Sequence, residues 1–401
     1  MPAKAEGIRT TLWSIQSVDT MKYSRDVARI EEKNNNFDSE IDRQISDIKD
    51  LGATHVAIAT PYDDEFIPYM TRWINSTRKH GLKVWFRGNF SGWENWYSYP
   101  DITMAEHIQK TQKFILKNPH LFVDGDIYSP CHECENGGPG DPRQTGQVQE
   151  YRDFLISEYQ VTRDSFKKIN KQVPSNYFSM NLDVAKLIMD KKTVRALDSV
   201  IVLDHYIPTP KELIQDVKTI ARQTGASIVL GEYGVPIPDI HGEMSPSQQA
   251  VWLQEAMSGL VEIPELVGLN YWVNMGSSTE IWDVTTHQKK PAAAVLAQYY
   301  FPHIVEGIIK NTLDRPVTHA SVVYLGRSYP VDQSGHYSIP LMPDHDRIVY
   351  TAFGFVDQIH TVSSSTALNI VLEPSARNLL FRLQELIHLL VTKAHSIIES
   401  I

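Results

Sequence analysis

The sequence predicts an α/β protein: a (β/α)8 TIM barrel, then a small all-β sandwich and a C-terminal amphipathic helix. Three observations predict this fold class. Between residues 8 and 300, short apolar runs alternate with longer amphipathic segments eight times, which favours a closed barrel over the alternative, an open sheet. No Gly-rich dinucleotide fingerprint follows the first run, which disfavours a nicotinamide enzyme. After Pro302 the helical periodicity ends and short alternating runs begin.

The expected barrel elements follow in order. Strands are predicted near residues 10–15, 54–60, 82–88, 121–128, 176–181, 199–204, 227–232 and 266–273. Helices are predicted at 38–51, 64–80, 101–117, 147–169, 183–195, 210–224, 246–262 and 290–300. Ser245-Pro246 pairs an N-cap side chain with proline at the first helical position, and Thr209-Pro210 does the same. Gly225 lies where a helix should end.

The predicted domains are the barrel at 1–302, the sandwich at 303–374 and the helix at 375–401. Within the sandwich, DQSG at 332–335 is typical of a turn between strands. The last helix is expected to pack on the barrel or sandwich, or to mediate self-association or docking. Its three-four apolar spacing indicates a seam, carried by Leu379, Leu383, Leu386, Leu390, Ala394, Ile397 and Ile401. Charged residues such as Arg382 and Lys393 interrupt this segment, so we expect no membrane span.

Composition limits the function classes. The net charge is −10 and no basic run stands out, which disfavours nucleic acid and anionic membrane surfaces as partners. The 8 Trp and 18 Tyr are numerous enough for aromatic rings at a cleft, where they suit the apolar faces of sugars. The N-terminal MPAKAEGIRT lacks an apolar core, which indicates a cytoplasmic protein or one whose leader has been removed.

Carboxylates follow two of the predicted strands. VLGEYG (229–234) ends a buried run on Glu232, and YSPCHECENGG (128–138) supplies Glu133 and Glu135. Because the carboxyl ends of barrel strands meet at one mouth, a glutamate from each stretch should face the other across it. Cleavage of a glycosidic bond needs such a pair, with one carboxyl protonated and one ionised. No phosphate loop or obvious metal cage accompanies them, and we expect no cofactor and no metal.

On these residues, 8–300 resembles the clan of retaining (β/α)8 glycoside hydrolases that includes endoglucanases and mannanases. VLGEYG is similar to the clan's nucleophile motif, and GLNYWVN followed by KPAAAVLAQYY is similar to its eighth strand and closing helix. The resemblance implies that Glu232 is the nucleophile and that Trp272 forms the floor under the sugar. It also implies an acid/base glutamate after strand four, where the clan has Asn-Glu and this chain has His132-Glu133.

If these pairs align, Glu133 is the acid/base and His132 takes the Asn position, where it could bond a sugar 2-hydroxyl. Glu135-Asn136 is the rival reading, with its Asn on the other side. Cys131 and Cys134 flank Glu133, and a local disulfide or two plain thiols are favoured over a metal or redox site.

The remaining site residues are expected to support this pair. Tyr206 or Tyr233 should donate a hydrogen bond to Glu232, and Arg87 should hold that carboxyl ionised. The other predicted substrate-binding residues lie at or just after strand ends and are Trp93, Asn181 and His205.

Residues 304–373 resemble a carboxypeptidase regulatory-like, transthyretin-like domain, through Gly307, RPVTHASV and VDQSGHYSIP. Such domains accompany extracellular enzymes, which favours secretion or the cell surface over the cytoplasm. The predicted function is a retaining glycoside hydrolase acting on a β-linked polysaccharide or oligosaccharide. The alternative is a catalytically inactive barrel that binds glycans or serves as a scaffold, and a metal-dependent hydrolase using His132, Cys131 and Cys134 comes third.

Overall fold

A computed structural model describes residues 10–362, 367–375 and 387. These residues divide into two compact units, one of which is Trp13–Phe301. The second contains the described residues from Pro302 onward together with residues 10–12. The predicted C-terminal helix lies outside the described residues, apart from positions 375 and 387. Among the helices that are described, none has the length and apolar character needed to cross a bilayer.

The first unit is a barrel of eight parallel strands, as predicted. The strands are β1 Ile15–Asp19, β2 His55–Ile58, β3 Lys83–Phe86, β4 Ile127–Tyr128, β5 Ser179–Asn181, β6 Val200–Asp204, β7 Ser227–Tyr233 and β8 Leu266–Tyr271. They are ordered β4-β3-β2-β1-β8-β7-β6-β5. Near β4 and β5, two backbone bonds join the two ends of this order: Tyr128 N to Pro174 O at 2.9 Å and Glu133 N to Ser179 O at 3.1 Å.

Helices follow every barrel strand. They are α1 Met21–Ser24, α2 Ala28–Glu31, α3 Asp38–Asp50, α4 Ile67–Lys79, α5 Met104–Lys117, α6 Pro142–Thr145, α7 Val148–Lys168, α8 Leu182–Ile188, α9 Lys191–Ala196, α10 Pro210–Thr224, α11 Pro238–His241, α12 Pro246–Leu260 and α13 Pro291–Tyr300. The predicted boundary signals operate here. Ser245 forms a capping box with Gln248, Thr209 accepts from the Glu212 amide, and Gly225 ends α10 in the left-handed region.

The barrel interior is filled by an apolar layer contributed by several strands: Ile15, Ala57, Trp85, Ile127, Val202 and Val229. Because this layer occupies the interior, polar side chains concentrate at the carboxyl ends of the strands.

The position predicted for the first strand, 10–15, was wrong: the observed strand begins where the predicted one ends. β1 runs from Ile15 to Asp19, and all five residues are buried although Gln16, Ser17 and Asp19 are polar. Strand β1 lies between β2 and β8, and the surrounding chain supplies hydrogen-bond partners for some of its polar side-chain atoms. Gln16 donates to the carbonyls of Gly52 and Tyr300, for example. The pattern of hydrophobic residues therefore does not mark this strand.

The second unit contains two small sheets. Its strands are β9 His303–Asn311, β10 Ser321–Tyr324, β11 Arg327–Pro330, β12 His336–Leu341, β13 Arg347–Thr351, β14 Gln358–Thr361 and β15 Ile370–Leu372. The sheet orders are β11-β10-β13-β14 and β12-β9-β15. The pairing is antiparallel as expected, except that β15 runs parallel to β9. The hydroxyls of Tyr337 and Tyr350 lie 2.9 Å apart and link the two sheets, and Gly335 completes the predicted DQSG turn at φ +77°.

Candidate active site

A fully buried arginine organises the mouth of the barrel. Arg87 follows β3, and its Nη1 donates to Asp19 Oδ2 at 2.9 Å and to the Gly231 carbonyl at 2.8 Å. Its Nη2 lies 2.9 Å from His132 Nδ1 and 3.3 Å from Asp204 Oδ1. A guanidinium stays charged in proteins, so Arg87 supplies one permanent positive charge to this cluster of carboxyls.

Glu232, at the end of β7, is held ionised. Its Oε1 lies 3.3 Å from Arg87 Nη2 and 3.4 Å from His132 Nε2, and its Oε2 accepts from the Tyr206 hydroxyl at 2.7 Å. Burial by itself raises the pKa of Glu232. The hydrogen bond from His132, the charge of Arg87 and the Tyr206 hydroxyl outweigh burial and lower this pKa to about 2.

His132 is a neutral imidazole with one defined tautomer. Burial and the adjacent Arg87 charge lower the pKa of His132 to about 4, although Glu232 opposes the shift. Its Nδ1 faces two donors, Arg87 Nη2 at 2.9 Å and Ser179 Oγ at 2.6 Å, and must therefore accept. The ring proton is then on Nε2, where it is directed at Glu232.

Burial strongly disfavours the ionised form of Asp204. Burial raises the pKa of Asp204 well above its usual range, and the negative charge of Glu232 adds to the shift against the opposing charge of Arg87. Its contacts with Arg87 Nη2, at 3.3 and 3.4 Å, are longer than the 2.9 Å bond that Asp19 receives. One arginine cannot balance three ionised carboxyls, and burial raises the pKa of Asp19 as well as that of Asp204.

Glu133 has the opposite protonation preference to Glu232. Burial, then the negative charges of Glu232, Glu135 and Glu94, raise the pKa of Glu133 to about 8. The residue lies in the left-handed region at φ +44°, in the loop that follows β4, and its Oε2 accepts from Asn136 Nδ2 at 3.1 Å. At neutral pH, Glu133 is therefore a carboxylic acid beside an ionised Glu232.

Glu135, the rival to Glu133, is engaged in structural hydrogen bonds. Its Oε1 accepts from the backbone amide and side-chain amide of Asn181, at 3.0 and 3.2 Å. Its Oε2 accepts from the Tyr151 hydroxyl at 3.2 Å. This carboxyl ties the loop after β4 to β5 and α7. For Glu133, the negative charge of Glu232 contributes to the raised pKa.

Cys131 and Cys134 form a disulfide bond across this loop. A thiolate zinc site would need both sulfur atoms free, so the metal-dependent alternative loses two of its ligands. The donors of His132, Asp204 and Glu232 do lie within 4.8 Å of one another. The Arg87 guanidinium already contacts all three, and its positive charge opposes a second cation there.

Four of the predicted site residues lie at Glu232 or beside its partner Tyr206: Arg87, His132, Tyr206 and Trp272. The Trp272 ring packs edge-on against Tyr206 with 6.0 Å between ring centroids, and it is half-buried. Among the described residues, its Nε1 has no hydrogen-bond partner. The ring therefore keeps part of its surface exposed, and Lys22 Nζ lies 5.6 Å from its centroid.

The structure places the other four predicted substrate-binding residues in structural contacts. Trp93 is buried and stacks on Phe154 with 5.0 Å between centroids. A ring packed in this way offers no face to a sugar, so the predicted sugar platform at Trp93 is wrong. Asn181 donates both its amide groups to Glu135 and does not approach Glu232 through them.

His205 and Tyr233 also turn away from the site. His205 Nε2 lies 3.0 Å from Asp216 Oδ2 on α10. Tyr233 is fully buried, and its hydroxyl contacts Met257 Sδ at 3.5 Å. Of the two tyrosines expected to orient Glu232, Tyr206 makes the contact. Side chains alternate along an extended strand, so Tyr233 faces the opposite side from Glu232.

Sequence reasoning assigned no site role to several polar residues at the mouth: Asp19, Asn89, Glu94, Asp204 as an Arg87 partner, and Asn270. Asn270 donates to Asp19 Oδ2 at 3.1 Å and to the Gly231 carbonyl at 2.8 Å. An aspartate at the end of an apolar strand run could have indicated a polar residue at the mouth, as VIVLD does for Asp204. Glu94 offered none, because seven residues of irregular chain separate it from β3.

Comparisons with known proteins place the fold among glycoside hydrolases. No family model matches the chain, and no curated protein matches it. A GH5_18 structure from Bifidobacterium longum subsp. longum ATCC 55813 in complex with Manβ1-4GlcNAc matches with a TM-score of 0.52 at 11% identity, over 76% of this chain and 84% of that one. A GH5_18 structure from Streptomyces cattleya in complex with GlcNAc matches with a TM-score of 0.51 at 12% identity, over 76% and 85%.

An FMN-binding β-glucuronidase from Facaelibacterium prausnitzii L2-6 matches more weakly, with a TM-score of 0.47 at 10% identity. That match covers 82% of this chain, which spans about half, 53%, of the glucuronidase. At these identities the similarity concerns the fold. The barrel unit has the fold of solved glycoside hydrolases.

Proposed function

We propose that this protein is a retaining glycoside hydrolase in which Glu232 is the nucleophile and Glu133 the acid/base. The observation that carries the proposal is the pair of opposite protonation states at one barrel mouth. Glu232 has a pKa of about 2 and Glu133 a pKa of about 8, so the productive pair dominates between these values. The glycoside hydrolase fold of the barrel unit supports the same reaction class.

In the first step, the Glu232 carboxylate attacks the anomeric carbon while Glu133 gives its proton to the glycosidic oxygen. The bond between that carbon and oxygen breaks, the aglycone leaves as an alcohol, and a glycosyl ester forms on Glu232. Arg87, His132 and Tyr206 hold the carboxylate in position before the attack.

In the second step, Glu133, now ionised, takes a proton from water as that water attacks the anomeric carbon. The ester bond breaks and Glu232 regains its carboxylate. Each cycle returns Glu133 to the acid form, consistent with the stabilisation of that form by its surroundings. The proposed substrate is a β-linked polysaccharide or oligosaccharide, whose sugar stacks on the half-buried Trp272 ring.

A second candidate function, a catalytically inactive glycan-binding or scaffold barrel, is favoured by one contact. His132 was expected to bond a sugar 2-hydroxyl, but its Nε2 points at Glu232 Oε1 at 3.4 Å. The imidazole therefore uses its only proton on the nucleophile, and a sugar must compete for it.

We also keep secretion or cell-surface attachment as a proposal. The Cys131–Cys134 disulfide supports it, because disulfides persist mainly in oxidising compartments.

Intact-protein mass spectrometry after incubation with activated 2-deoxy-2-fluoro glycosides tests the main proposal. The panel includes glucosides, glucuronides and mannosides, the last because a GH5_18 neighbour was solved with Manβ1-4GlcNAc. We expect one covalent adduct on the wild type and on Glu135→Asp, and none on Glu232→Gln. Binding on a glycan array without any adduct would support the inactive barrel instead.

A further inference from the structure

A fully buried asparagine contacts the loop that carries His132 and Glu133. Asn89 lies between β3 and α5, and its Nδ2 donates to Glu94 Oε1 at 2.9 Å. The same amino group donates over longer distances to the His132 carbonyl oxygen, at 3.4 Å, and to Cys131 Sγ, at 3.6 Å. The asparagine side chain therefore reaches the main chain of the loop, at the peptide group that joins His132 to Glu133.

This peptide group is held from both sides. Its carbonyl oxygen accepts from Asn89, and its N–H donates to the Ser179 carbonyl on β5 at 3.1 Å. Glu133 has a φ of +44°, in the left-handed region that residues other than glycine adopt only at a cost in free energy. Such a conformation persists where its surroundings hold it. The two bonds fix the peptide plane from which the Glu133 side chain departs.

The orientation of the Asn89 amide is itself defined. Its Oδ1 accepts from the backbone N–H of Phe90 and from Nε2 of His107 on α5, both at 2.8 Å. A backbone N–H can only donate, so the amide oxygen faces these two groups and the NH2 group faces the loop. On the far side of its ring, His107 Nδ1 lies 3.3 Å from Glu158 Oε1 on α7, and both side chains are fully buried. Groups from two helices thus stand behind the Asn89 amide.

We propose that Asn89 is a positioning residue for the acid/base: its amide, locked by His107, holds the peptide before Glu133 and so directs the Glu133 carboxyl at the glycosidic oxygen. This inference rests on the proposed function. Asn89 acts through the loop and needs no contact with the substrate. Proton donation requires hydrogen-bond distance to the leaving oxygen, so a displaced Glu133 should impair the substrates whose leaving groups need a proton.

Leaving-group dependence tests this inference, because it separates proton donation from general damage to the fold. Asn89→Asp keeps the oxygen that faces Phe90 and His107 and replaces the NH2 donor with an acceptor. We expect kcat/KM for a methyl glycoside to fall at least about tenfold more than kcat/KM for a dinitrophenyl glycoside of the same sugar, which needs little proton donation. The sugar is the one that labels the wild type in the fluoro-glycoside panel.

Asn176→Asp is the matched control. Asn176 is also buried, and its Nδ2 donates to the Leu197 carbonyl at 2.9 Å, so the same exchange removes an amide-to-carbonyl bond outside the loop. Both substrates should be affected equally in this variant. Equal losses on the two substrates in Asn89→Asp would overturn the inference.

A second pair of variants decides the matter if Asn89→Asp does not fold. Both carry Glu158→Gln, so that no buried carboxylate is left without its partner, and they differ only in His107→Gln or His107→Leu. Glutamine can still donate to Asn89 Oδ1 and should retain the wild-type leaving-group dependence, whereas leucine should steepen it. The same dependence in both would overturn the inference. Absence of any adduct on the wild type would instead overturn the proposed function, and with it the role of Asn89.

Discussion

Removing the Tyr206 hydroxyl from Glu232, the proposed nucleophile, tests whether hydrogen bonding holds this carboxyl ionised. In Tyr206→Phe, Glu232 loses the 2.7 Å bond to Oε2 and keeps the Arg87 and His132 contacts at Oε1. A hydrogen bond to a charged group contributes about 1.5–3 kcal/mol. At about 1.4 kcal/mol for each pKa unit, the pKa of Glu232 should rise by about one to two units.

The sign follows from which form is stabilised. The Tyr206 hydroxyl donates to the carboxylate form, so its loss favours the protonated, unreactive form. The wild-type pKa of about 2 should therefore become about 3–4. The variant should also be less stable. In the wild type, the depressed Glu232 pKa contributes stability that is present above about pH 4.5 and is lost as the pH falls towards 2, and a smaller depression contributes less.

The assay is the rate of covalent labelling by a reactive 2-deoxy-2-fluoro glycoside between pH 3 and 7, in 0.15 M salt. The wild type should label at a rate that stays level down to about pH 3, whereas Tyr206→Phe should lose half its rate near pH 3–4. Tyr233→Phe is the matched control, because that hydroxyl contacts Met257 and not Glu232. A level profile in Tyr206→Phe, or an equal shift in Tyr233→Phe, would refute the reasoning.

Three further outcomes are expected. Arg87→Met leaves buried carboxyls without their cation and should reduce the free energy of unfolding by about 3–5 kcal/mol in urea titrations; a loss below about 1 kcal/mol would contradict the assigned ion pairs. In Glu133→Gln the alkaline limb of hydrolysis near pH 8 should disappear, and substrates with good leaving groups should be least impaired; persistence of the limb would assign it to another group. Gly138 and Gly146 both have positive φ, but a Cβ on Gly138 would overlap the Trp93 ring, whereas one on Gly146 meets nothing within 4 Å. Gly138→Ala should therefore lower the melting temperature more than Gly146→Ala. Equal effects would mean that only the backbone strain at positive φ matters.

The sequence was most informative where chemistry and periodicity coincide. The run SIVLGEY predicted both β7 and the carboxyl at its end, because an apolar strand in a barrel must deliver its next polar residue to the mouth. It was least informative for β1, whose buried polar residues carry no hydrophobic period, so that Asp19 was not recognised as an Arg87 partner.

By itself, the sequence determined the barrel, the two sheets that follow it and the two strand ends that carry Glu133 and Glu232, because these depend on local patterns. Tertiary structure alone decided which neighbouring glutamate is bound to β5 and α7 and which tyrosine donates to Glu232. Glu135 is engaged by Asn181, 46 residues away, and Tyr206 reaches Glu232 across 26 residues. Protonation states also depend on distant charges and on burial, which arise only when separate strands converge on Arg87.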